Sequence, residues 1–197
     1  INLVFDPMGR LGVVWYHRDR GNLMFAQGDA MGRFAAPVVL TANHLSYDDP
    51  RVQTIKVGED RQWGDNLLAA LPQVPGEVLL MMLDDFFLNQ RVDQAAVRDA
   101  VARFRALSGR YLGIDRFNKQ GTPLEGSTWH AILPEPPCVG LNATIWSAAH
   151  LREVVNSPGM NIWQAENRAK QLARENQSGH FYIGPDGKAL MTYQESI

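Results

Sequence analysis

The segment "EVLLMMLDDFFLNQ", Glu77–Gln90, decides how the chain is read. Six apolar residues, Val78 to Leu83, run directly into two adjacent carboxylates, Asp84 and Asp85, and Phe86, Phe87 and Leu88 follow at once. A short, continuously apolar run reads as a strand covered by helices on both faces. In open α/β sheets, ligands bind outside the carboxyl ends of the strands, and the Asp pair sits at such an end. Neighbouring residues of a strand point to opposite faces, so both carboxylates reach one site only from a turn just past the strand. Two close carboxylates repel, and burial raises that cost. A divalent cation removes the conflict. Mg²⁺ and Mn²⁺ prefer oxygen ligands, and Mg²⁺ is commonly held by carboxylates together with substrate phosphates. The competing reading is an Asp that caps a helix or closes a turn.

Outward from this segment, strands and helices alternate. Gly12 to Tyr16 reads as a first strand ending in the polar turn "HRDRGN". "LMFAQGDAMGRF" (23–34) reads as a helix, weakened by Gly28 and Gly32. "APVVLTANH" and "VQTIKVG" read as strands, and "DRQWGDNLLAALPQ" as a helix whose Trp63, Leu67, Leu68 and Leu71 form an apolar stripe. Asp93 is placed to cap a helix through "AAVRDAVARFRALSG", which Gly109 can end. In the second half, "RYLGIDRF", "WHAILP" and "CVGLNATIW" read as strands, with "KQGTPLEGS" a loop between the first two. "SAAHLREVVNS", capped by Ser147, and "NIWQAENRAKQLARENQ" read as helices, and "FYIGPDGKALMTY" as a hairpin about Pro-Asp-Gly. The pattern predicts an α/β fold: a mainly parallel sheet that becomes mixed toward its end, with helices on both faces.

The 197 residues fit one domain, and nothing in the composition cuts them. A net charge of −2 leaves no bulk footprint for nucleic acid or an anionic membrane. Cys138 is the only cysteine, which excludes an intramolecular disulfide and a Cys-based metal site. No apolar run reaches the roughly 18–20 residues that span a bilayer, and the first twenty residues lack a signal peptide's apolar region. These features point to a cytoplasmic protein.

The order of segments resembles the GT-A glycosyltransferases, the nucleotide-diphospho-sugar transferases with a short aspartate motif after the fourth core strand. The matching pieces are "VVWYHRDR", "PVVLTANH", "IKVGEDRQWGDNLLAAL", "VLLMMLDDFFLNQRVD", "VGLNATIW" and "NIWQAEN". "LDDFFL" is similar to the LDDYFL-type motif of bacterial sugar transferases, although the usual Asp-x-Asp is here an adjacent pair. That departure leaves open which of Asp84 and Asp85 binds metal.

The resemblance implies a nucleotide-sugar-binding half, about 12–90, and an acceptor-side half, about 91–197. It implies Mn²⁺ or Mg²⁺ at Asp84 and Asp85, and a saccharide or lipid-linked saccharide as acceptor, the latter compatible with peripheral association at the inner face of the membrane. It also implies a role in bacterial surface or capsular polysaccharide synthesis. His17, Arg18 and Asp19 would contact base and ribose, although Arg18 also suits a solvated surface. Glu59, Asp60, Trp63 and Asn66 fall where the nucleobase is contacted. For Trp63 core packing is the preferred reading, and Asp60 also suits a helix cap.

Trp163 and Glu166, three apart, share one helix face. An indole for the flat side of a pyranose beside a base for its hydroxyl suits a sugar acceptor. The plainer alternative is a core Trp with an exposed Glu. Asp115 is a second candidate base, and His130 and His180 are lesser candidates for a further metal ligand. A sugar-nucleotide nucleotidyltransferase is the competing enzyme class, for which "YHRDRGN" is a poor phosphate loop. A non-catalytic sugar- or nucleotide-binding module is the other alternative. The absence of G-x-G-x-x-G argues against a dinucleotide-dependent oxidoreductase.

Overall fold

A computed structural model describes residues 2–5, 11–17, 22–27, 38–42, 52–74, 76–81, 86–88, 93–114, 120–136, 139–188, 190 and 193–195. The first strands are β1 (Asn2–Phe5), β2 (Leu11–His17), β3 (Asn22–Gln27), β4 (Val38–Ala42) and β5 (Val52–Lys56). Helix α1 (Trp63–Ala70) follows, with a 3-10 turn at Leu71–Gln73, then β6 (Val78–Met81), β7 (Phe86–Leu88) and α2 (Gln94–Ala106). The remainder is β8 (Tyr111–Gly113), β9 (Gly121–Pro123), β10 (Trp129–Ile132), β11 (Thr144–Ser147), α3 (Ala148–Val154), α4 (Ile162–Glu175), β12 (His180–Ile183) and β13 (Tyr193–Glu195). No described helix is long and apolar enough to cross a membrane.

One sheet runs through both halves of the chain in the order β5-β4-β3-β2-β1-β6-β11-β8-β12-β10-β9, while β13 and β7 pair separately. The fold is mixed α/β, but the expectation of a mainly parallel sheet is corrected. Among the described pairings only β4–β5 and β8–β12 are parallel. The physical cause is twofold. The β1–β2–β3 meander places antiparallel neighbours between β4 and β6. In addition, β11 returns between β6 and β8, antiparallel to both. Direction along the sheet nonetheless repeats: β2, β4, β5, β6, β8 and β12 all run the same way, so their carboxyl ends share one edge.

The helix expected over 23–34 is also corrected: Asn22–Gln27 is a strand. Its partner β2 holds it in register from His17↔Asn22 to Gly12↔Gln27. Ladder pairing outweighs a helical tendency already weakened by two glycines. Part of the expected 119–127 loop, Gly121–Pro123, is strand β9, joined to β10 by a tight turn closed by Leu124 N–H donating to Trp129 C=O. The terminal hairpin is half right. The Pro-Asp-Gly turn forms, with Gly187 N–H donating to Gly184 C=O at 2.9 Å. The strand that follows cannot join β12, because β8 and β10 already occupy both of its edges; β13 pairs with β7 instead.

Helices on both faces, as expected, follow from strand alternation. Leu79 and Met81 of β6, Tyr111 of β8, Trp146 of β11 and Tyr182 of β12 face one core with residues of α1, α3 and α4. Val78, Leu80, Leu112, Ile145, Phe181 and Ile183 face the other, with Val97, Val101 and Phe104 of α2. Each fully buried apolar side chain of this size contributes about 1.5–3 kcal/mol. Asp93 caps α2 as read from the sequence, accepting from the amides of Ala95 and Ala96, and Ser147 caps α3 by accepting from His150 N–H.

The end of α2 differs in detail. The left-handed residue is Ser108, φ 49°, not Gly109. Gly109 N–H then donates to Phe104 C=O at 2.8 Å and Ser108 N–H to Arg105 C=O at 3.0 Å, the two bonds of a Schellman cap. Gly109 is required for space: a Cβ there would lie 2.3 Å from the Phe104 ring. Ser108→Gly should therefore raise unfolding stability by about 1 kcal/mol, the relief of a left-handed non-glycine, while Gly109→Ala should lower it by about 1–3 kcal/mol through overpacking. Urea titration of both variants measures this.

Two buried histidines lie in the first core, His150 of α3 and His180 of β12. His150 Nδ1 is 3.0 Å from Glu153 Oε2, and the two Nε2 atoms are 3.1 Å apart. With His150 as the Nδ1–H tautomer, it donates to Glu153 and accepts at Nε2 from His180 Nε2–H. Burial lowers the pKa of each, and His180, further opposed by His150 and Arg110, falls to about 4. The unfolded chain protonates such a group near 6.5, so its stabilisation is complete above that pH and is lost as pH falls toward 4. The urea midpoint should drop across this window, the full loss at His180 being on the order of 3 kcal/mol. His180→Gln should flatten the profile.

Candidate functional site

The loop that leads into β11 reaches the edge where β6 and β8 end, since Thr144 pairs with both Met81 and Gly113. Buried polar groups fix this loop. Trp146 Nε1–H donates to the Thr144 hydroxyl at 2.8 Å, and that hydroxyl donates to Asn142 C=O at 2.8 Å. Gly140 N–H donates to the Tyr111 phenol oxygen at 3.2 Å. Against Gly140 lies the Glu166 carboxylate: a Cβ at Gly140 would be 3.8 Å from its Oε2. Glu166 is thus at the strand-end edge on the α4 side of the sheet.

Helix α4 presents Glu166 in a defined way. Asn161 begins the helix with a capping box: its side chain accepts from Gln164 N–H, and Gln164 Oε1 accepts from Asn161 N–H. Ala165, Ala169, Leu172 and Ala173 are buried, which sets the rotation of the helix. That rotation overturns the plainer reading of the W-x-x-E motif. Trp163 is 71% exposed, whereas the Glu166 side chain is only 24% exposed and is paired with Lys170 one turn later. The aromatic ring is in solvent and the acid is partly enclosed, the reverse of a core Trp with a surface Glu.

Helix α1 supplies the neighbouring wall. Its N-cap is Gln62, with no side-chain cap bond, so Asp60 is not the cap. The Asp60 carboxylate instead accepts from Asn66 Nδ2 at 2.6 Å, and Asn66 Oδ1 accepts from Arg61 N–H at 3.5 Å. Asn66 is buried and Asp60 exposed, so Asn66 holds the loop after β5 in shape and Asp60 faces solvent. Trp63 packs against the first core, as preferred from the sequence.

The two walls are fastened together. Gly64 N–H donates to Met160 C=O at 2.8 Å, and Gly159 N–H lies 3.0 and 3.1 Å from the two Asp65 carboxylate oxygens. The segment leading into Trp163 and Glu166 is therefore bolted to the first turn of α1.

Arg18, Asp19, Asp84, Asp85 and Asp115 lie outside the described residues. They come directly after or within a few residues of His17, Met81 and Gly113, the last residues of β2, β6 and β8. Among the described residues no three His, Cys, Asp or Glu side chains are placed to hold a metal ion. His180 is committed to His150, and His130 Nδ1 is 3.1 Å from the Tyr182 hydroxyl, so the two histidines do not converge. Sequence reasoning passed over Lys170, although its i+4 spacing from Glu166 was a legible signal. Gly140 and the Asp65–Gly159 tie left no such signal.

No family model and no curated protein matches the chain. Among solved structures it is similar to a UTP-bound UGPase from Acinetobacter baumannii, at 12% identity and a TM-score of 0.41. The match covers 74% of this chain and 56% of that one. A likeness this distant carries no argument about activity.

A Cβ on Gly64 would lie 2.8 Å from Met160 Cβ and 3.0 Å from Met160 O. Gly64→Ala should therefore push the 159–161 segment off α1 and lower stability by about 1–3 kcal/mol. Hydrogen exchange at residues 159–164 should quicken more than exchange in β6.

Proposed function

We propose that the chain is a metal-dependent glycosyltransferase that moves a sugar from a nucleotide-diphosphate donor to an acceptor hydroxyl of a saccharide or lipid-linked saccharide. The observation that carries this reading is Glu166: a partly enclosed carboxylate against Gly140, at the edge where the co-directional strands end, with the exposed Trp163 on the preceding turn. The aspartate pair after β6, the resemblance of "LDDFFL" to the sugar-transferase motif and the W-x-x-E spacing support it from the sequence.

In this reading Asp84 and Asp85 offer the oxygen donors that Mn²⁺ or Mg²⁺ prefers. The bound ion supplies neutralisation of the charge on the leaving diphosphate. Trp163 offers its ring to the apolar side of the acceptor sugar. Glu166 accepts the proton of the attacking hydroxyl. Lys170, one turn later, pairs with the Glu166 carboxylate and holds it in place. Asp115 is the alternative base. Arg18, Asp19 and Asp60 contact base and ribose, with Asn66 fixing Asp60 from behind. A place in bacterial surface or capsular polysaccharide synthesis belongs to the same reading.

The test is nucleoside diphosphate release from a panel of nucleotide sugars with a saccharide acceptor and Mn²⁺. Release should depend on the metal and fall strongly in Asp84→Ala or Asp85→Ala. Glu166→Gln should lower transfer about 10²–10⁴-fold while keeping the thermal stabilisation that the donor confers. Full metal-independent turnover in both Asp variants would remove the metal role. Pyrophosphate release from a nucleoside triphosphate and a sugar 1-phosphate would identify a nucleotidyltransferase instead, and an intact donor despite binding would identify a binding module.

A further inference from the structure

On the opposite face of the sheet from Glu166, α2 leans over β10 and β12 and leaves an open cavity of about 400 Å³. Its walls include Ala100 and Ile183, and its polar groups are Asp99, Arg103, Thr128 and Lys188. The Arg103 guanidinium carbon lies 5.4 Å from the centroid of the buried Trp129 ring. Arg103 Nε is buried and has no hydrogen-bond partner among the described residues. Among the described residues no carboxylate pairs with Arg103, although Asp99 stands one helical turn away on α2, the spacing at which such pairs normally close. Lys188, at the rim, reaches Asp93 at 3.2 Å.

This is an unusual state for an arginine. A partly buried cation without a counter-ion is costly, and stacking on one indole face recovers only part of that cost. The guanidinium is held against Trp129, away from the acid that would neutralise it, and it lines a cavity roomy enough for a monosaccharide. An anion in the cavity completes its charge. Asp99, with no ion-pair partner among the described residues, repels a simple anion but accepts hydrogen bonds from hydroxyls, and the Thr128 hydroxyl adds a donor and acceptor. The apolar wall suits a carbon ring.

We propose that this cavity binds an acidic monosaccharide unit of the hexuronate class. The carboxylate pairs with Arg103, with Lys188 adding positive charge at the rim. The ring hydroxyls donate to Asp99, and the ring lies along Ala100 and Ile183. The site stands on its own residues and does not rest on the transferase reading.

The experiment is calorimetric titration of the intact chain with D-glucuronate, D-glucose and acetate, with the indole N–H resonance of Trp129, assigned through Trp129→Phe, as a second readout. Glucuronate should bind and shift the Trp129 resonance, and glucose and acetate should bind at least tenfold more weakly, the worth of a charge-assisted pair. Arg103→Gln should weaken glucuronate about tenfold or more by the same argument, and Arg103→Lys should restore only part of the loss, since it keeps the charge without the planar fork. Asp99→Asn, at an exposed position, should weaken glucuronate and narrow its advantage over acetate, and it carries the test if Arg103→Gln does not fold. Absence of glucuronate binding, equal binding of acetate or glucose, or affinity unchanged in both Arg103→Gln and Asp99→Asn would overturn the proposal.

Discussion

Strand β6 gives up water on both of its faces. Leu79 and Met81 lie against the core that α1, α3 and α4 close, and Val78 and Leu80 lie against the core that α2 closes. A strand in that position must have its backbone paired on both edges, because buried peptide groups without partners are costly. It finds β1 on one side and β11 on the other. Trp146, Ile145, Tyr111 and Leu112 then repeat the same two-sided pattern across β11 and β8. The layered architecture, the placement of every described helix and the shared edge of the strand ends all follow from this one burial requirement.

The antiparallel return of β11 has a second consequence. Its leading loop must emerge where β6 and β8 end, and that loop carries buried polar groups that need partners. The Trp146–Thr144–Asn142 chain and the Tyr111 phenol supply them. The loop is thereby rigid at the point where Glu166 rests against it. On the other side, the Asp65–Gly159 and Gly64–Met160 contacts hold the start of α4 to α1. A carboxylate borne on a capped helix, between a pinned loop and a fastened turn, is positioned by elements rather than by a free loop.

Much of the fold was legible because its signals were local. The apolar run before Asp84, the Asp93 and Ser147 caps, the apolar stripe of α1 and the Pro-Asp-Gly turn each depend on residues within a few positions of one another. The misreadings share the opposite property. Whether 22–27 is helix or strand was decided by pairing with β2, the fate of the last strand by the prior occupation of both edges of β12, and the sheet's antiparallel character by where the meander and β11 insert. None of these is encoded in a window of ten residues. The candidate site divides in the same way: the W-x-x-E spacing and the order of segments singled out Trp163 and Glu166, but which of the two is enclosed depended on the rotation of α4 against distant strands.

By itself the sequence determined the composition class, the two-sided burial of 78–81, the capped helices and the chemical types gathered near the strand ends, because these rest on short-range periodicity and hydrogen-bonding capacity. Only the tertiary structure decided that Trp163 faces solvent while Glu166 meets Gly140, that Asn66 braces Asp60, that His150 and His180 meet through their Nε2 atoms, and that Arg103 stacks on Trp129 with no counter-ion among the described residues. Each of those depends on side chains far apart in the chain, brought together by packing that no local pattern records.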